Sequence, residues 1–232
     1  MLKIAFDKRY ILPLPEGHRF PMMKYELIPS QLLYEGIVNK ENFFSPNKIE
    51  NYWVEKAHDI EYIQKLNNLN LSRSEIRKTG FPLTKELVER EYIITKGTCE
   101  CVDFALNYGA AANIAGGTHH AFKNRGEGFC LFNDVAVASY YAMEKYNLSK
   151  ILIIDLDVHQ GNGTASIFKN EDRVFTFSMH GKKNYPFKKE KSDLDIELDD
   201  NIEDDIDSEE SFYLDDHTKV PVNSIISPDN FV

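Results

Sequence analysis

Residues 151–154 form an unbroken aliphatic run, and polar residues alternate after it up to a Gly-Asn-Gly turn. Such a run predicts a strand that is buried on both faces of a parallel sheet. Asp155, Asp157 and His159 occupy every second position at its end. Because a strand has a period of two residues, this spacing predicts that the three side chains project to one side at the strand's carboxyl end. Thr164 is predicted to cap the short helix that follows.

The rest of the chain alternates between short apolar runs and segments with helical spacing. Strands are predicted at residues 3–6, 110–115 and 174–180, the last two of them buried. Helices are predicted at 59–66, 74–78, 84–94, 97–108, 134–146 and 164–169, and over 22–38 with a break at Pro29 and Ser30. Strands that alternate with helices favour parallel pairing with right-handed crossovers. The predicted fold is therefore α/β, with a parallel sheet flanked by helices in three layers.

Composition indicates one large globular domain, since 42% of the 232 residues are hydrophobic and 12% are aromatic. The net charge of −10 argues against a nucleic-acid backbone as the main partner and is compatible with a cationic substrate. Residues 193–210 hold eleven Asp or Glu and no Lys or Arg, which is typical of a solvated loop or tail. We expect a domain over 1–200 and a divergent, poorly ordered acidic tail over 201–232.

The three cysteines, Cys99, Cys101 and Cys130, are an odd number without a disulfide-like framework, which favours a reducing compartment. The first residues lack the uninterrupted apolar segment of a signal peptide, and no segment has the length needed to span a membrane. These features together predict a cytoplasmic location.

Asp155, Asp157 and His159 are candidate metal ligands. Two carboxylates and an imidazole at the mouth of a buried strand are costly to desolvate unless a cation lies among them. Carboxylate oxygen together with imidazole nitrogen suits zinc. The alternative is a capped turn with a hydrogen-bonded histidine, and the spacing alone does not decide between the two.

His119 and His120 follow two glycines at the end of a predicted strand. Neighbouring residues of an extended segment point in opposite directions, so both histidines reach one site only if the backbone turns between them. A pair of this kind can act as general base and general acid near neutral pH. The alternative is a polar surface pair.

Two further segments are candidates for the wall and mouth of a site. The loop that holds His18, Arg19 and Phe20 is interrupted by prolines and a glycine, and it either lines a binding mouth or is an ordinary connection. Phe129 lies in a glycine-rich loop and either walls an apolar channel or belongs to the core.

Three ordered motifs carry a resemblance to a known family: GGTHH at 116–120, GEGFCLFND at 126–134 and DLDVHQGNGT at 155–164. Together they resemble the histone deacetylase superfamily, which includes bacterial acetoin-utilisation proteins and acetylpolyamine amidohydrolases. The HQGNG version is most similar to the class IV type and its bacterial relatives. The resemblance extends from about residue 12 to about residue 198 and implies the arginase/deacetylase-like fold.

The resemblance implies roles for the motif residues. Asp157 and His159 match two zinc ligands. His119 and His120 match the histidines that flank the metal-bound water, with His120 the better candidate for the base. Asp155 matches the carboxylate that orients His119.

It also implies a second ion and a substrate channel. The backbone carbonyl of Asp155 matches a ligand of a structural potassium ion, together with Ser178 and Met179. Asn162 stands where many members have an Asp beside the second histidine, so we expect a less elevated pKa for that histidine. The channel residues implied are Gly128 and Phe129 for the wall of an acyl-lysine channel, and His18, Arg19 and Phe20 for its rim.

The implied function is zinc-dependent hydrolysis of the amide of acetyl- or acyl-lysine, or of a similar N-acyl amine. The family's third zinc ligand is an Asp in a later segment and its oxyanion donor is a Tyr after a glycine run, and neither motif is found here. Asp215, Asp216, His217 and Asp229 are further possible ligands, although a turn explains the Ser-Pro-Asp-Asn segment more simply. The sequence therefore predicts a fold that is incomplete at its C-terminal side, as in a truncated chain.

Three alternatives follow from the missing motifs. The chain is an impaired deacetylase, an inactive homologue that binds metal, or a protein that a partner chain completes. An arginase-like dinuclear hydrolase would need more carboxylate ligands than the sequence offers.

Overall fold

The computed structural model describes residues 1–200 and, as backbone alone, the strands at 211–213 and 219–221. The chain forms two compact units, Met1–Glu197 and Leu198–Val232. The predicted lack of order in 201–232 concerns a segment that, apart from those two strands, lies outside the described residues. None of the helices described is long and apolar enough to cross a membrane.

Along the described chain, one or more helices separate each strand from the next up to residue 181. The helices are α1 (Lys24–Tyr34), α2 (Asn51–Ala57), α3 (Ile60–Asn67), α4 (Arg73–Thr79), α5 (Lys85–Tyr108), α6 (Asp134–Tyr146) and α7 (Asn162–Phe168). The strands are β1 (Lys3–Ala5), β2 (Phe43–Phe44), β3 (Ala111–Asn113), β4 (Ile151–Asp155), β5 (Val174–Gly181), β6 (Leu194–Leu198), β7 (Ser211–Tyr213) and β8 (Lys219–Pro221).

The strands form two three-stranded sheets and a hairpin. β1 lies between β2 and β3 and pairs with both in parallel, and β5 lies between β4 and β6. β4 and β5 are parallel, in a register that places Ile151 beside Val174 and Asp155 beside Ser178. β7 and β8 are antiparallel. Parallel strands flanked by helices confirm the predicted α/β class.

The two helices predicted over 84–94 and 97–108 are one helix, α5. Gly97 lies inside this helix, and a Cβ atom at that position would lie 2.6 Å from the Tyr10 hydroxyl. The missing side chain therefore lets the helix pack closely against the N-terminal segment. Gly109 ends the helix with a left-handed backbone, φ 88°.

Two predicted helix boundaries are also wrong. α1 passes through Pro29 without a break, and the Ser30 hydroxyl donates to the Glu26 carbonyl at 2.8 Å, which satisfies one exposed acceptor of the helix. α7 begins at Asn162, within the Gly-Asn-Gly segment that was predicted to form a turn before the helix. Thr164 consequently lies in the first turn of α7 and is not its cap.

The edge strands β3 and β4 are more open than predicted. Ala112 of β3 is exposed, and Leu152 and Ile154 of β4 are 36% and 57% exposed, whereas Ile153 between them is buried. Phe175, the partner of Leu152 on β5, is 47% exposed. One face of this parallel sheet is therefore apolar and uncovered. The prediction of burial on both faces is wrong. An aliphatic run indicates a strand, but the burial of that strand also depends on other elements that cover its faces.

The opposite face packs on the core of the first unit, whose centre is α5. Tyr92, Ile93 and Ile94 of α5 are buried, and the Tyr92 ring lies 4.9 Å from that of Phe132, edge to face. Leu131, beside Phe132, is completely buried. The loop that leads into α6 is thus held by apolar packing on its inner side.

His58 is a buried link between two motif loops. Its Nδ1 donates to the Phe122 carbonyl at 3.0 Å, and its Nε2 accepts from the Asn133 backbone N–H at 2.9 Å. Protonation of Nε2 would remove the bond from Asn133, so the second bond needs the neutral imidazole, and burial lowers the pKa of His58 to about 4.

We expect His58 to make folding pH-dependent. Its contribution to stability is complete above the unfolded-state pKa of about 6.5 and is lost as pH falls toward about 4. Between pH 7.5 and pH 5 the loss is about 2 kcal/mol. The free energy of unfolding can be measured with urea at pH 7.5 and at pH 5. The difference between the two pH values should be smaller for His58→Gln than for the wild type. His18→Gln, at a half-buried histidine, is the control, and equal pH dependence in all three proteins would contradict the assignment.

Candidate active site

The turn that carries the two histidines is anchored by Asp134, the buried first residue of α6. The Asp134 carboxylate accepts from the backbone N–H groups of Gly117 and Thr118 at 3.1 and 2.7 Å, and from the Thr118 hydroxyl at 2.7 Å. Gly117 has a φ of 85°, which a glycine adopts without strain. The backbone therefore turns before the histidines, and the rings of His119 and His120 lie together with centroids 4.1 Å apart.

His119 is paired with a carboxylate. Its Nδ1 lies 2.5 Å from Asp155 Oδ2, at the last residue of β4. Burial on its own would lower the pKa of His119, but the hydrogen bond and the charge of Asp155 outweigh burial and raise that pKa. The His119 ring therefore favours the protonated form more than a free histidine does.

His120 is paired with an amide. Its Nδ1 donates to Asn162 Oδ1 at 2.7 Å, and both side chains are buried. Burial and the neighbouring His119 lower the pKa of His120 to about 4, and the bond from Asn162 offsets this only in part. His120 is therefore neutral at pH 7, with its Nδ1 proton held by the amide and its Nε2 lone pair unprotonated.

The loop before α6 closes tightly over His120. A Cβ atom on Gly128 would lie 2.6 Å from the His120 ring, and Gly128 has a φ of 55°. Phe129 follows with a φ of 65°, in the left-handed region that non-glycine residues seldom adopt. The Phe129 ring packs against the edge of the core and faces the N-terminal loop.

An aromatic cluster forms where that loop meets Phe129. Phe20 lies 5.2 Å from Phe129 and 4.9 Å from Phe81, and His18 stacks on Phe81 at 5.7 Å. The His18 Nε2 donates to the Gly80 carbonyl at 2.9 Å, which fixes the ring. The structure thus brings together the predicted rim residues His18 and Phe20 and the predicted wall residue Phe129. Arg19 is exposed.

Asp157 and His159 lie beyond the end of β4, in the loop before α7, and not on the strand as predicted. The Asp157 backbone N–H donates to Asp155 Oδ1 at 3.1 Å, and the His159 N–H donates to Asp157 Oδ1 at 2.8 Å. His159 Nδ1 lies 2.9 Å from the same Asp157 oxygen. Successive aspartate turns end the strand here because each carboxylate captures an amide two residues on. His159 still faces the site, with its ring 5.9 Å from that of His120.

Comparison with known proteins places this arrangement in a family. The family model "Histone deacetylase domain" matches residues 18–215. An uncharacterised protein of Picosynechococcus sp. is 40% identical over 202 residues, which are 87% of this chain and 67% of that protein. The acetoin utilization protein AcuC of Staphylococcus xylosus is 32% identical over 183 residues, 73% of this chain and 47% of AcuC.

The chain belongs to the histone deacetylase family. Histone deacetylase 2 of Arabidopsis thaliana is also similar, at 28% identity over 177 residues. In structure, a histone deacetylase homologue from Aquifex aeolicus superposes with a TM-score of 0.70 at 22% identity, over 85% of this chain and 59% of its own. This likeness confirms the deacetylase-like fold. The chain spans about half to two thirds of the length of these relatives.

The donor set that the described residues of this deacetylase-family chain offer is incomplete for zinc. The side chains of Asp157 and His159 contact each other, and both are partly exposed and so accessible to an ion. Among the described residues, however, no three His, Cys, Asp or Glu side chains converge on a point where a metal ion would be held. Zinc sites in proteins need three or four such ligands. The candidate ligands of the tail, Asp215, Asp216, His217 and Asp229, lie outside the described residues.

The implied potassium site stays a prediction. The register of β4 and β5 places Asp155 beside Ser178, as a shared ion would require. Ser178 is buried and its hydroxyl lies 3.0 Å from His180 Nδ1. Met179 is the next residue of the same strand.

Tyr185 is a site residue that the sequence reading missed. Its ring lies edge-on to His120 at 5.0 Å and to His159 at 6.2 Å, and its hydroxyl donates to the Glu127 carboxylate. It follows the turn from Gly181 to Asn184 after β5, in a segment of lysines and asparagine without periodicity to single it out. The adjacent Pro186 is the sequence feature that indicates a restricted backbone in that loop.

Cys130 is a poor candidate for a nucleophile. It is buried beneath the Phe129 loop, and burial raises the pKa of its thiol. A neutral, inaccessible thiol neither attacks a substrate nor serves as a thiolate ligand.

We expect Asn162→Asp to raise the pKa of His120, because a carboxylate stabilises imidazolium and an amide does not. The rise should be about one to three pH units. It can be measured by NMR titration of the histidine Cε1 protons in metal-free protein. Asn170→Asp adds the same charge at an exposed loop position and is the control. An unchanged His120 titration in Asn162→Asp would show that the amide does not govern this pKa.

Proposed function

We propose that this protein takes part in zinc-dependent hydrolysis of the amide of acetyl- or acyl-lysine, or of a similar N-acyl amine. The observation that carries the proposal is the adjacent pair of histidines, of which His119 is bonded to the Asp155 carboxylate and His120 to the Asn162 amide. Burial lowers the pKa of His120, whereas Asp155 raises that of His119. Two adjacent groups whose pKa values are driven apart are suited to act as base and acid in one reaction.

In the proposed reaction, neutral His120 accepts the proton of the attacking water at Nε2. Asn162 holds the other ring nitrogen of His120 in the donor form and so fixes the tautomer. His119, kept protonated by Asp155, gives a proton to the departing amine. The two proton transfers balance, because one is taken from water and one is returned to the leaving group.

The aromatic cluster around Phe129 supports an acyl-amine substrate. Phe20, Phe81 and Phe129 present ring faces and edges within 5.3 Å of one another, beside the loop that touches His120. An apolar wall of this kind suits the methylene chain of a lysine or polyamine. A histone deacetylase homologue of the same fold has been solved in complex with SAHA, and SAHA is therefore a suitable probe for this chain.

The second candidate is an inactive homologue that binds metal or a partner chain. It is favoured by one observation, the absence of a third converging ligand among the described residues. Both candidates share the fold and the paired histidines, and turnover distinguishes them.

The test is hydrolysis of acetyl- and long-chain-acyl-lysine peptides by the protein isolated from its own cells, with any bound polypeptide retained. We expect turnover that a zinc chelator removes and that His120→Gln abolishes, with circular dichroism showing both proteins folded. A folded, metal-loaded protein without turnover on any of these peptides would favour the inactive homologue.

A further inference from the structure

The loop that follows β5, residues 182–191, is fixed beside the candidate active site at both of its ends. Before its first residue, the Gly181 backbone N–H donates to the Val158 carbonyl at 2.9 Å. Near its last residue, the Gln160 side chain forms two hydrogen bonds with the backbone of Glu190, at 2.7 and 2.8 Å. Val158 and Gln160 flank His159 in the sequence, so both anchors hold the loop against the segment that carries this candidate zinc ligand.

The middle of the same loop reaches the paired histidines and also presents an apolar ring to solvent. The Tyr185 ring lies edge-on to that of His120, with centroids 5.0 Å apart. Phe187, two residues later, is 93% exposed. Because two residues span at most about 7 Å of chain, the groups of a substrate next to the reacting amide come close to Phe187. An exposed aromatic ring at this place is available for contact with a substrate.

The loop is strongly basic. Its ten residues contain five lysines and a single acid, Glu190; the lysines are Lys182, Lys183, Lys188, Lys189 and Lys191. Lys189 shapes the loop, since its ammonium donates to the carbonyls of Asn184 and Pro186 at 2.5 and 2.8 Å. Lys188 and Lys191 are exposed, and neither is in an ion pair within the described chain. Their charges are therefore available to a ligand.

Three carboxylates near the loop are bonded within the fold. Asp195 accepts from a side-chain amide and from a backbone N–H, each at 2.8 Å. Asp193 accepts from the backbone N–H and the hydroxyl of Thr176 at 2.7 and 2.8 Å. Glu127 accepts from the Tyr185 hydroxyl. These carboxylates hold the loop and its surroundings in place, and the lysines are the charges of the loop that face solvent.

The charge of the chain is divided along the sequence in the same sense. Residues 1–192 hold 26 Lys or Arg and 23 Asp or Glu, whereas residues 193–232 hold 14 Asp or Glu and one Lys. The net charge of −10 therefore arises entirely after residue 192 and does not describe the surface near the histidines. A basic loop beside the site favours negative charge on a ligand.

We propose that the loop at 182–191 selects acyl-lysine substrates whose neighbouring residues are acidic. The inference rests on the proposed function and names its substrate class, an acidic peptide and not an acetylpolyamine or a basic peptide. Exposed charges interact over about 10 Å at 0.1 M ionic strength. Two or three residues on one side of the acyl-lysine lie within that distance of the loop, because an extended chain advances about 3.3 Å per residue. Phe187 contacts the apolar part of the same residues.

The test is the binding of fluorescent acetyl-lysine peptides to the full chain, measured by anisotropy. Three matched peptides flank the acetyl-lysine with glutamate, serine or lysine. We expect the glutamate peptide to bind at least about tenfold more tightly than the lysine peptide at about 50 mM salt. The ratio should fall at about 500 mM salt, because salt screens exposed charges.

Two variants of the loop separate its charge from its apolar contact. Lys188→Glu with Lys191→Glu should remove or reverse the preference for glutamate. Phe187→Ala should weaken the binding of all three peptides alike. Lys150→Glu with Lys169→Glu makes the same change in charge at two exposed lysines beside the start of β4, the end of the strand away from the site, and should keep the preference. Circular dichroism checks that all the variants are folded.

The other outcomes overturn the proposal. Equal binding of the three peptides, binding of none, or a preference that survives charge reversal in the loop would contradict it. If the peptides show no preference, but vesicles that contain an anionic phospholipid bind the wild type and not the charge-reversed loop, the loop faces a membrane surface instead.

Turnover separates this proposal from the proposed function. Binding that depends on the flanking charge, without hydrolysis, supports the role of the loop and counts against the hydrolase. Hydrolysis with equal kcat/KM for the three peptides supports the hydrolase and overturns the role of the loop.

Discussion

Replacing Asp157 by alanine is expected to lower the affinity of the protein for Zn²⁺ at least about 100-fold and to abolish metal-dependent hydrolysis. Asp157 is the only carboxylate among the described residues that bonds to His159, and it also holds the backbone N–H of that residue. Its removal takes away one candidate ligand and releases another, His159. Burial would raise the pKa of Asp157, but bonding to His159 lowers it on balance, so the carboxylate is ionised and ready to bind a cation.

Zinc affinity can be measured by equilibrium dialysis of the purified protein. Asp172→Asn removes a carboxylate from the exposed loop between α7 and β5 and is the matched control. Zinc affinity that is equal in Asp157→Ala and in the wild type would show that the metal is held elsewhere or not at all.

Replacing Glu91 by alanine is expected to reduce the free energy of unfolding by about 3–5 kcal/mol. Arg90 and Glu91 are adjacent on α5, 2% and 1% exposed, and form an ion pair in the core. The Arg90 Nε also donates to the Tyr10 carbonyl at 2.7 Å, and its Nη2 has no partner there. Without Glu91, the guanidinium would be left buried and uncompensated, which is the costly state for a charge.

Urea unfolding followed by circular dichroism measures this loss. Glu171→Ala removes the partner of Arg173 at the surface, where the arginine is 53% exposed, and should cost less than about 1 kcal/mol. Glu91→Gln keeps a hydrogen-bond acceptor for Arg90. Its loss in the free energy of unfolding should therefore lie between those of Glu91→Ala and Glu171→Ala. Equal small losses for Glu91→Ala and Glu171→Ala would show that the buried pair does not stabilise the fold.

Local chemistry in the sequence predicted the elements and much of the site. The aliphatic run at 151–154 and the glycines around His119 and His120 contain the information for a strand and a turn. The pairings of His119 with Asp155 and of His120 with Asn162 came from the family resemblance, and the structure shows both as hydrogen bonds.

The rest depended on contacts that a local pattern does not contain. Gly97 looked like a helix stop, but its lack of a side chain serves packing against Tyr10. Ile154 looked buried, but its burial requires a covering element that the described chain does not provide. Tyr185 reaches His120 through a loop whose course no periodicity indicates.

The anchoring of the histidine turn by Asp134 has a consequence for mutational scanning. Asp134 is the last residue of the motif at 126–134 and the first residue of α6. Its carboxylate, however, accepts hydrogen bonds from Gly117 and Thr118, which belong to the motif at 116–120. Substitutions at Asp134 would misplace both histidines without touching a substrate. In a scan scored by activity, Asp134 would therefore rank with the histidines, and only a separate measurement of histidine pKa values would distinguish a scaffold position from a reacting one.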